Sequence, residues 1–343
     1  MYKIKGVKYF LILISIVLLL GGCGQNSLTD LGKTSDQTIK DNLGNNQQSD
    51  ISNTIKTMAV STYTFVTKWG SVGNGNSQFL RPAGIAIDNQ NNIYVTDDSL
   101  CRIQKFNSNG TFITKWGSYG SSNGQFIGVI GIAIDLHGNV YATDSDNNRV
   151  QKFSSNGTFI TKWSGDTRNG QLNKPCGIAI DKLGYIYVVD QGNHRIQKYT
   201  SNGVFVKKWG SYGSANGQFY SPTGIAIDGQ GSVYIVDNGN YRIQKFNSNG
   251  VFLEKWGSKG TGDGQLNQPD MSVGVDNLGY VYIADGGNHR IQKFNSNGTF
   301  LTKWGSLGSL AGQFNNPYGV AVDIQGFVYV ADGSNCRIQK FKP

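Results

Sequence analysis

The chain has 343 residues, with 31 Lys and Arg against 22 Asp and Glu, a formal charge of +9 that raises nucleic acid as a partner. The distribution of that charge counts against nucleic acid. Three lysines precede Cys23, residues 24–60 carry three lysines against four aspartates, and 61–343 keeps 25 basic and 18 acidic residues, 18 of the basic ones at repeating positions that form a girdle rather than a phosphate-tracking patch.

At the amino terminus Lys3, Lys5 and Lys8 precede an uncharged apolar run, Tyr9 to Leu20, that ends in Leu20-Gly21-Gly22-Cys23. This is the pattern of an export signal. Its 12 residues fall short of the roughly 20 that a helix needs to cross a bilayer. The Leu-Gly-Gly-Cys ending resembles the lipobox of prokaryotic lipoproteins, which implies cleavage before Cys23 and lipid on its thiol. Residues 1–22 are therefore expected to be a lipoprotein signal peptide and the mature protein to be extracytoplasmic, anchored to the membrane through Cys23. Residues 24–60 are rich in Asn, Gln, Ser, Thr and Asp and lack aromatic residues, so 23–60 reads as the lipidated cysteine and a disordered tether.

From residue 61 to residue 343 the sequence repeats. Trp69, Trp116, Trp163, Trp209, Trp256 and Trp304 recur every 46 to 48 residues, and Arg102, Arg149, Arg195, Arg242, Arg290 and Arg337 keep the same period. One unit, Gly224 to Trp256, contains four β-rich runs, GIAID, SVYIVD, YRIQKF and VFLEKW, and an Asn-Gly pair between the last two supplies the positive φ of a tight hairpin. Apolar residues show no helical spacing, so the predicted class is all-β. Six four-stranded antiparallel units bury their faces by stacking around an axis, which predicts a six-bladed β-propeller over 61–343. The last unit stops at Phe341 without a fourth strand, and Tyr63 to Trp69 (YTFVTKW) matches the missing one; an N-terminal strand is expected to close the ring.

The recurring P-x-G-I-A-I-D and I-Y-V-x-D-x-x-N-x-R-I-Q-K-F, from Phe79 to Phe341, resemble the NHL repeat. The resemblance implies the same six-bladed fold and a mixed set of functions: RNA or protein binding, extracellular sensing, and a metal-dependent lyase. A fold shared by so many activities does not select one. The resembling lyases carry zinc-binding histidines directly after the proline that opens the innermost strand. Here those positions hold Ala83, Cys176, Thr223, Asp270 and Tyr318, with Ile130 in the second unit, which removes the main warrant for lyase activity and leaves no cofactor expected.

The aspartates at 97, 144, 190, 237, 285 and 332 stand five positions before the ladder arginines, and their sixfold recurrence predicts scaffold pairing rather than catalysis. The aspartates at 88, 135, 181, 228, 276 and 323 are expected to open turns. Lysines of the third and fourth runs are expected to line the outside and deter edge-to-edge association. Positions that vary between near-identical repeats are the candidate ligand contacts: Cys101, Asn148, His194, Tyr241, His289 and Cys336 before the ladder arginine, and Ala83, Ile130, Cys176, Thr223, Asp270 and Tyr318 at the start of the innermost strand. Both sets should line one axial face. Cys101, His194 and His289 occupy alternate units, too far apart on a sixfold ring to share a zinc ion at bond lengths of about 2.0 to 2.3 Å. No GxSxG, P-loop or HExxH motif is present, and the Asn-Gly-Thr sequons at Asn109, Asn156 and Asn297 are accounted for by hairpin turns. With Cys23 acylated, Cys101, Cys176 and Cys336 are expected to remain thiols, because equivalent points in adjacent blades are too distant for a disulfide. The expectation is a monomeric, non-catalytic surface propeller that binds a protein, peptide, glycan or small ligand on its axial loop face, the alternative being a metal-dependent lyase or lactonase-like enzyme.

Overall fold

The computed structural model describes residues 62–165, 170–269 and 272–343. The expected signal peptide, Cys23 and the tether lie outside these residues, as does Asp270. The described chain forms six four-stranded antiparallel sheets. Each is one blade, running from an innermost strand such as Pro222–Ile227 through Val233–Asp237 and Arg242–Phe246 to an outermost strand, Phe252–Trp256.

Burial along the strands explains the order. The second strand of every blade is buried at all five positions, because neighbouring blades cover both its faces. The outermost strand alternates, as in Phe112–Trp116, with one face on the ring and the other in solvent. The apolar clusters lie between blades: Ile85, Ile93, Val95 and Phe106 of the first pack with Tyr329, Ala331 and Ile338 of the sixth. Around the axis the innermost strands approach so closely that a Cβ on Gly131 would lie 2.2 Å from the carbonyl oxygen of Cys176, which is why these strands read Gly-Ile-Ala-Ile.

Blade five departs from the pattern. One more residue separates Pro269 from Asp276 than separates Pro222 from Asp228. Its innermost strand is shortened to Val273–Val275, and Ser272 stands where other blades have glycine, its Oγ donating to the carbonyl of Val320 at 3.2 Å.

The ring closes as the sequence predicts. Thr64–Trp69 pairs antiparallel with Arg337–Lys342 and is the outermost strand of blade six. In the other blades the third and fourth strands are joined by an Asn-Gly hairpin that lies on the tryptophan of the preceding blade; a Cβ on Gly298 would meet the Trp256 ring at 2.5 Å. Blade six has no such hairpin, because its last two strands come from opposite ends of the chain. Tyr63 takes its place, stacked on Trp304 with ring centroids 4.1 Å apart and planes inclined by 16°.

The lysine girdle needs correction. The third strand is interior, so Lys152, Lys198, Lys293 and Lys340 are buried and Lys105 and Lys245 half-buried. Their ammonium groups lie over tyrosine rings of the second strand, 4.6 Å from Tyr187 for Lys198, and reach the next blade, as Lys245 does to the Ser296 carbonyl at 2.9 Å. Only the fourth-strand lysines, such as Lys115 and Lys255, are exposed and guard the outer edge.

Candidate binding face

Strand direction gives the ring two unlike ends. The lower end holds the turns opened by the first set of aspartates. There Asp228 Oδ1 accepts the backbone N–H groups of Gln230 and Ser232, and its Oδ2 accepts the hydroxyl of Tyr234. The upper end holds the turns between second and third strands and the loops that pass from one blade to the next.

On the upper end the ladder arginines organise those loops. Arg242 Nε pairs with Asp237 Oδ2 at 2.7 Å, while its terminal nitrogens donate to the carbonyls of Ser214, Ala215 and Gln218. Arg149 holds Ser121, Ser122 and Gln125 in the same way, and Arg337 holds Ser309, Leu310 and Gln313. The scaffold reading of these Asp–Arg pairs therefore stands, and it also fixes what the loops display. The third residue after each of four tryptophans, Val72, Tyr119, Tyr212 and Leu307, is 68%, 73%, 65% and 62% exposed on a loop pinned by a buried arginine. This apolar and aromatic rim was missed in the sequence. It was readable by comparing the residues that follow each tryptophan.

Blade one breaks the pairing. In the other five blades an asparagine two positions before the arginine (Asn147, Asn193, Asn240, Asn288, Asn335) donates to the ladder aspartate. Leu100 stands there in blade one. The Arg102 Nε–Asp97 Oδ2 separation widens to 3.6 Å, and both atoms are buried without a hydrogen-bond partner. Burial pushes the Asp97 carboxyl above the ordinary carboxylate range, against the pull of the Arg81 and Leu80 amides.

The six candidates before the ladder arginine all adopt the left-handed conformation, with φ between 50° and 54°. Several clasp the next blade. Asn148 Oδ1 accepts the backbone N–H of Lys174 at 2.8 Å, and the Nδ1 atoms of His194 and His289 accept those of Ser221 and Asn316, each at 3.1 Å. Cys336 donates to the Leu80 carbonyl at 3.2 Å. Tyr241 lies under the Lys259 ammonium, 5.2 Å from its ring centre. Burial pushes the Cys101 and Cys336 thiols up. Of the second set, Ala83, Cys176 and Thr223 are buried, while Ile130 and Tyr318 are half-buried. Tyr318 packs beneath the Arg81 guanidinium, which pairs with Asp98 at 3.2 Å.

Along the axis a cavity of about 220 Å³ is lined by glycine, alanine, valine and isoleucine of the innermost strands and by Ser272. Among the described residues that line it, none carries a side chain that exchanges a proton near neutral pH. Among the described residues no three His, Cys, Asp or Glu side chains are placed to hold a metal ion. The donor set that a zinc-dependent lyase needs is thus not assembled by these residues.

The chain matches the NHL repeat family over residues 79–106, 172–199, 219–246, 272–294 and 314–341. The blade at 129–163, outside those matches, has Val129 in place of the opening proline, yet its strands pair as in the others. No curated protein has a sequence significantly similar to that of the chain. Among solved structures it is similar to virginiamycin B lyase from Staphylococcus aureus, with 13% identity, 82% of this chain and 100% of that one covered, and a TM-score of 0.58. It is likewise similar to a gluconolactonase from Xanthomonas campestris, with 14% identity, 78% and 88% covered, and a TM-score of 0.59. A protein of unknown function from Bacteroides thetaiotaomicron shares 19% identity over 82% and 75% of the two chains, with a TM-score of 0.62. Identities this low speak to the fold alone. The repeat matches and the strand order together show a chain that carries NHL repeats and folds as a six-bladed β-propeller.

Proposed function

We propose that the chain is a non-catalytic binding propeller, held at the cell surface by lipid on Cys23, which recognises an extracellular ligand with its upper face. One observation carries this reading: exposed tyrosine, leucine and valine side chains ring the upper face on loops that buried arginines hold in place. Such side chains bring large apolar area to an interface, and their fixed loops lower the entropy cost of binding. An enzyme of the lyase or lactonase kind needs acid–base or metal-holding groups converging at the axial mouth. Among the described residues that line it, the axial cavity offers neither.

The compact unit from Val60 to Pro343 is a closed ring with its own core and suits direct assay. Elemental analysis of this purified domain is expected to find no stoichiometric metal, and assays on gluconolactone and on virginiamycin B are expected to show no turnover. A stoichiometric ion together with turnover would overturn the non-catalytic reading.

A further inference from the structure

One inter-blade notch of the upper face differs in kind from the rest. Between blades three and four, His194, Tyr212 and Tyr220 bring three rings together. Centroids of His194 and Tyr212 are 5.1 Å apart, those of Tyr212 and Tyr220 are 5.5 Å apart, and the two tyrosine planes meet at 80°. The corner is open to solvent, with Tyr220 48% exposed and Tyr212 more so. His289 and Tyr119 recur at the positions of His194 and Tyr212, but the Tyr220 position elsewhere holds Leu80, Ile127, Asn173, Asn267 and Asn315, so no repeat requirement brings the three rings together.

Its polar groups are neutral. Because His194 Nδ1 accepts the Ser221 N–H, the ring proton sits on Nε2, which has no hydrogen-bond partner among the described residues and serves as a donor. Gln191 Nε2 donates to Ser221 Oγ at 3.4 Å beside it. Elsewhere on this face Tyr241 and Tyr318 already lie against cations, Lys259 and Arg81, whereas among the described residues no cation lies over Tyr212 or Tyr220. Two open aromatic faces at a steep angle, edged by neutral donors and acceptors, suit a ligand that presents an apolar C–H face and hydroxyl groups together. We infer that the His194–Tyr212–Tyr220 corner is a subsite for a neutral sugar ring of a surface glycan. This inference rests on the assignment of the upper face as the binding face.

The repeat supplies substitutions that the fold already accepts at equivalent positions: Tyr212→Leu as at Leu307, Tyr220→Asn as at Asn267, and His194→Asn as at Asn148, which keeps the clasp acceptor but removes the Nε2 donor. The domain is titrated calorimetrically with chitotriose, cellotriose and maltotriose. At least one is expected to bind at 1:1 stoichiometry. Affinity is expected to fall about tenfold or more in Tyr212→Leu/Tyr220→Asn and about fivefold in His194→Asn, the loss expected for one hydrogen bond. If none of the three binds, if binding survives in the double variant, or if a polyproline peptide occupies the corner instead, the sugar assignment falls. The wider binding reading is judged separately, on Tyr119 and Leu307, which lie outside this corner.

Discussion

Tyr63 stacks on Trp304, 241 positions away in the chain, with centroids 4.1 Å apart, and its hydroxyl meets that of Tyr282 at 2.8 Å and the ammonium of Lys293 at 3.2 Å. One side chain so replaces the hairpin that covers the corresponding tryptophan in every other blade, and it seals the ring where the chain ends meet. Tyr63→Ala is expected to cost about 2–3 kcal/mol in chemical denaturation, from lost stacking and buried area. Tyr63→Phe keeps the stack and is expected to cost about 1 kcal/mol. A chain starting at Ser71 also loses the strand and exposes the edge of Arg337–Lys342; melting at the same temperature as a chain starting at Ser61 would refute this mode of closure.

The loose pair in blade one gives a stabilising prediction. Leu100→Asn restores the side chain that donates to the ladder aspartate in the five other blades, and it is expected to gain about 1 kcal/mol at neutral pH. The pH dependence follows from the raised Asp97 carboxyl. A carboxyl raised in the folded state binds its proton more tightly there than in the unfolded chain. It therefore subtracts stability as pH climbs from its ordinary value of 3.8 through its folded value. Leu100→Asn lowers that folded value, so its gain should be full at neutral pH and shrink in acid, as denaturation across the range would show. An equal gain at pH 3 and pH 7 would remove Asp97 from the explanation.

No disulfide links Cys101, Cys176 and Cys336, and all three are buried. A thiol titration of the domain is expected to count three groups after unfolding under non-reducing conditions. Reaction in the native state should be slow, since burial raises the Cys101 and Cys336 thiols and keeps reagent out. A count of one on unfolding would mean that a disulfide forms.

On the proposed anchoring by lipid on Cys23, membrane attachment is expected to depend on that residue. Cys23→Ser should release protein to the medium or leave uncleaved precursor, as fractionation would show. A fully processed mutant that stays on the membrane would refute lipid anchoring.

The strand ladder and ring closure were legible because Trp and Arg recur with one period, and a missing fourth strand at one end has its match at the other. The binding face was legible only in part. Sequence variation picked out His194 and His289, but not that both spend Nδ1 on the next blade, since a left-handed backbone and an inter-blade hydrogen bond leave no mark in residue type. Ala83 and Cys176 vary between repeats, yet they are buried where innermost strands meet. The repeat pattern alone places Lys198 on the outside, because third and fourth strands look alike in a linear sequence, while only the fourth faces solvent. Leu100 was visible as the one break in D-x-x-N-x-R. Its consequence required the buried Asp97–Arg102 geometry.

The most direct test of the upper-face assignment is saturation binding of the purified domain to intact cells of its own source. The comparison is a variant carrying Tyr119→Lys and Leu307→Lys, since Lys259 shows that the equivalent position accepts lysine. The wild-type domain is expected to bind saturably and the variant at least about tenfold more weakly, with unchanged melting. Equal binding by the two proteins would contradict the claim that this rim is the binding surface.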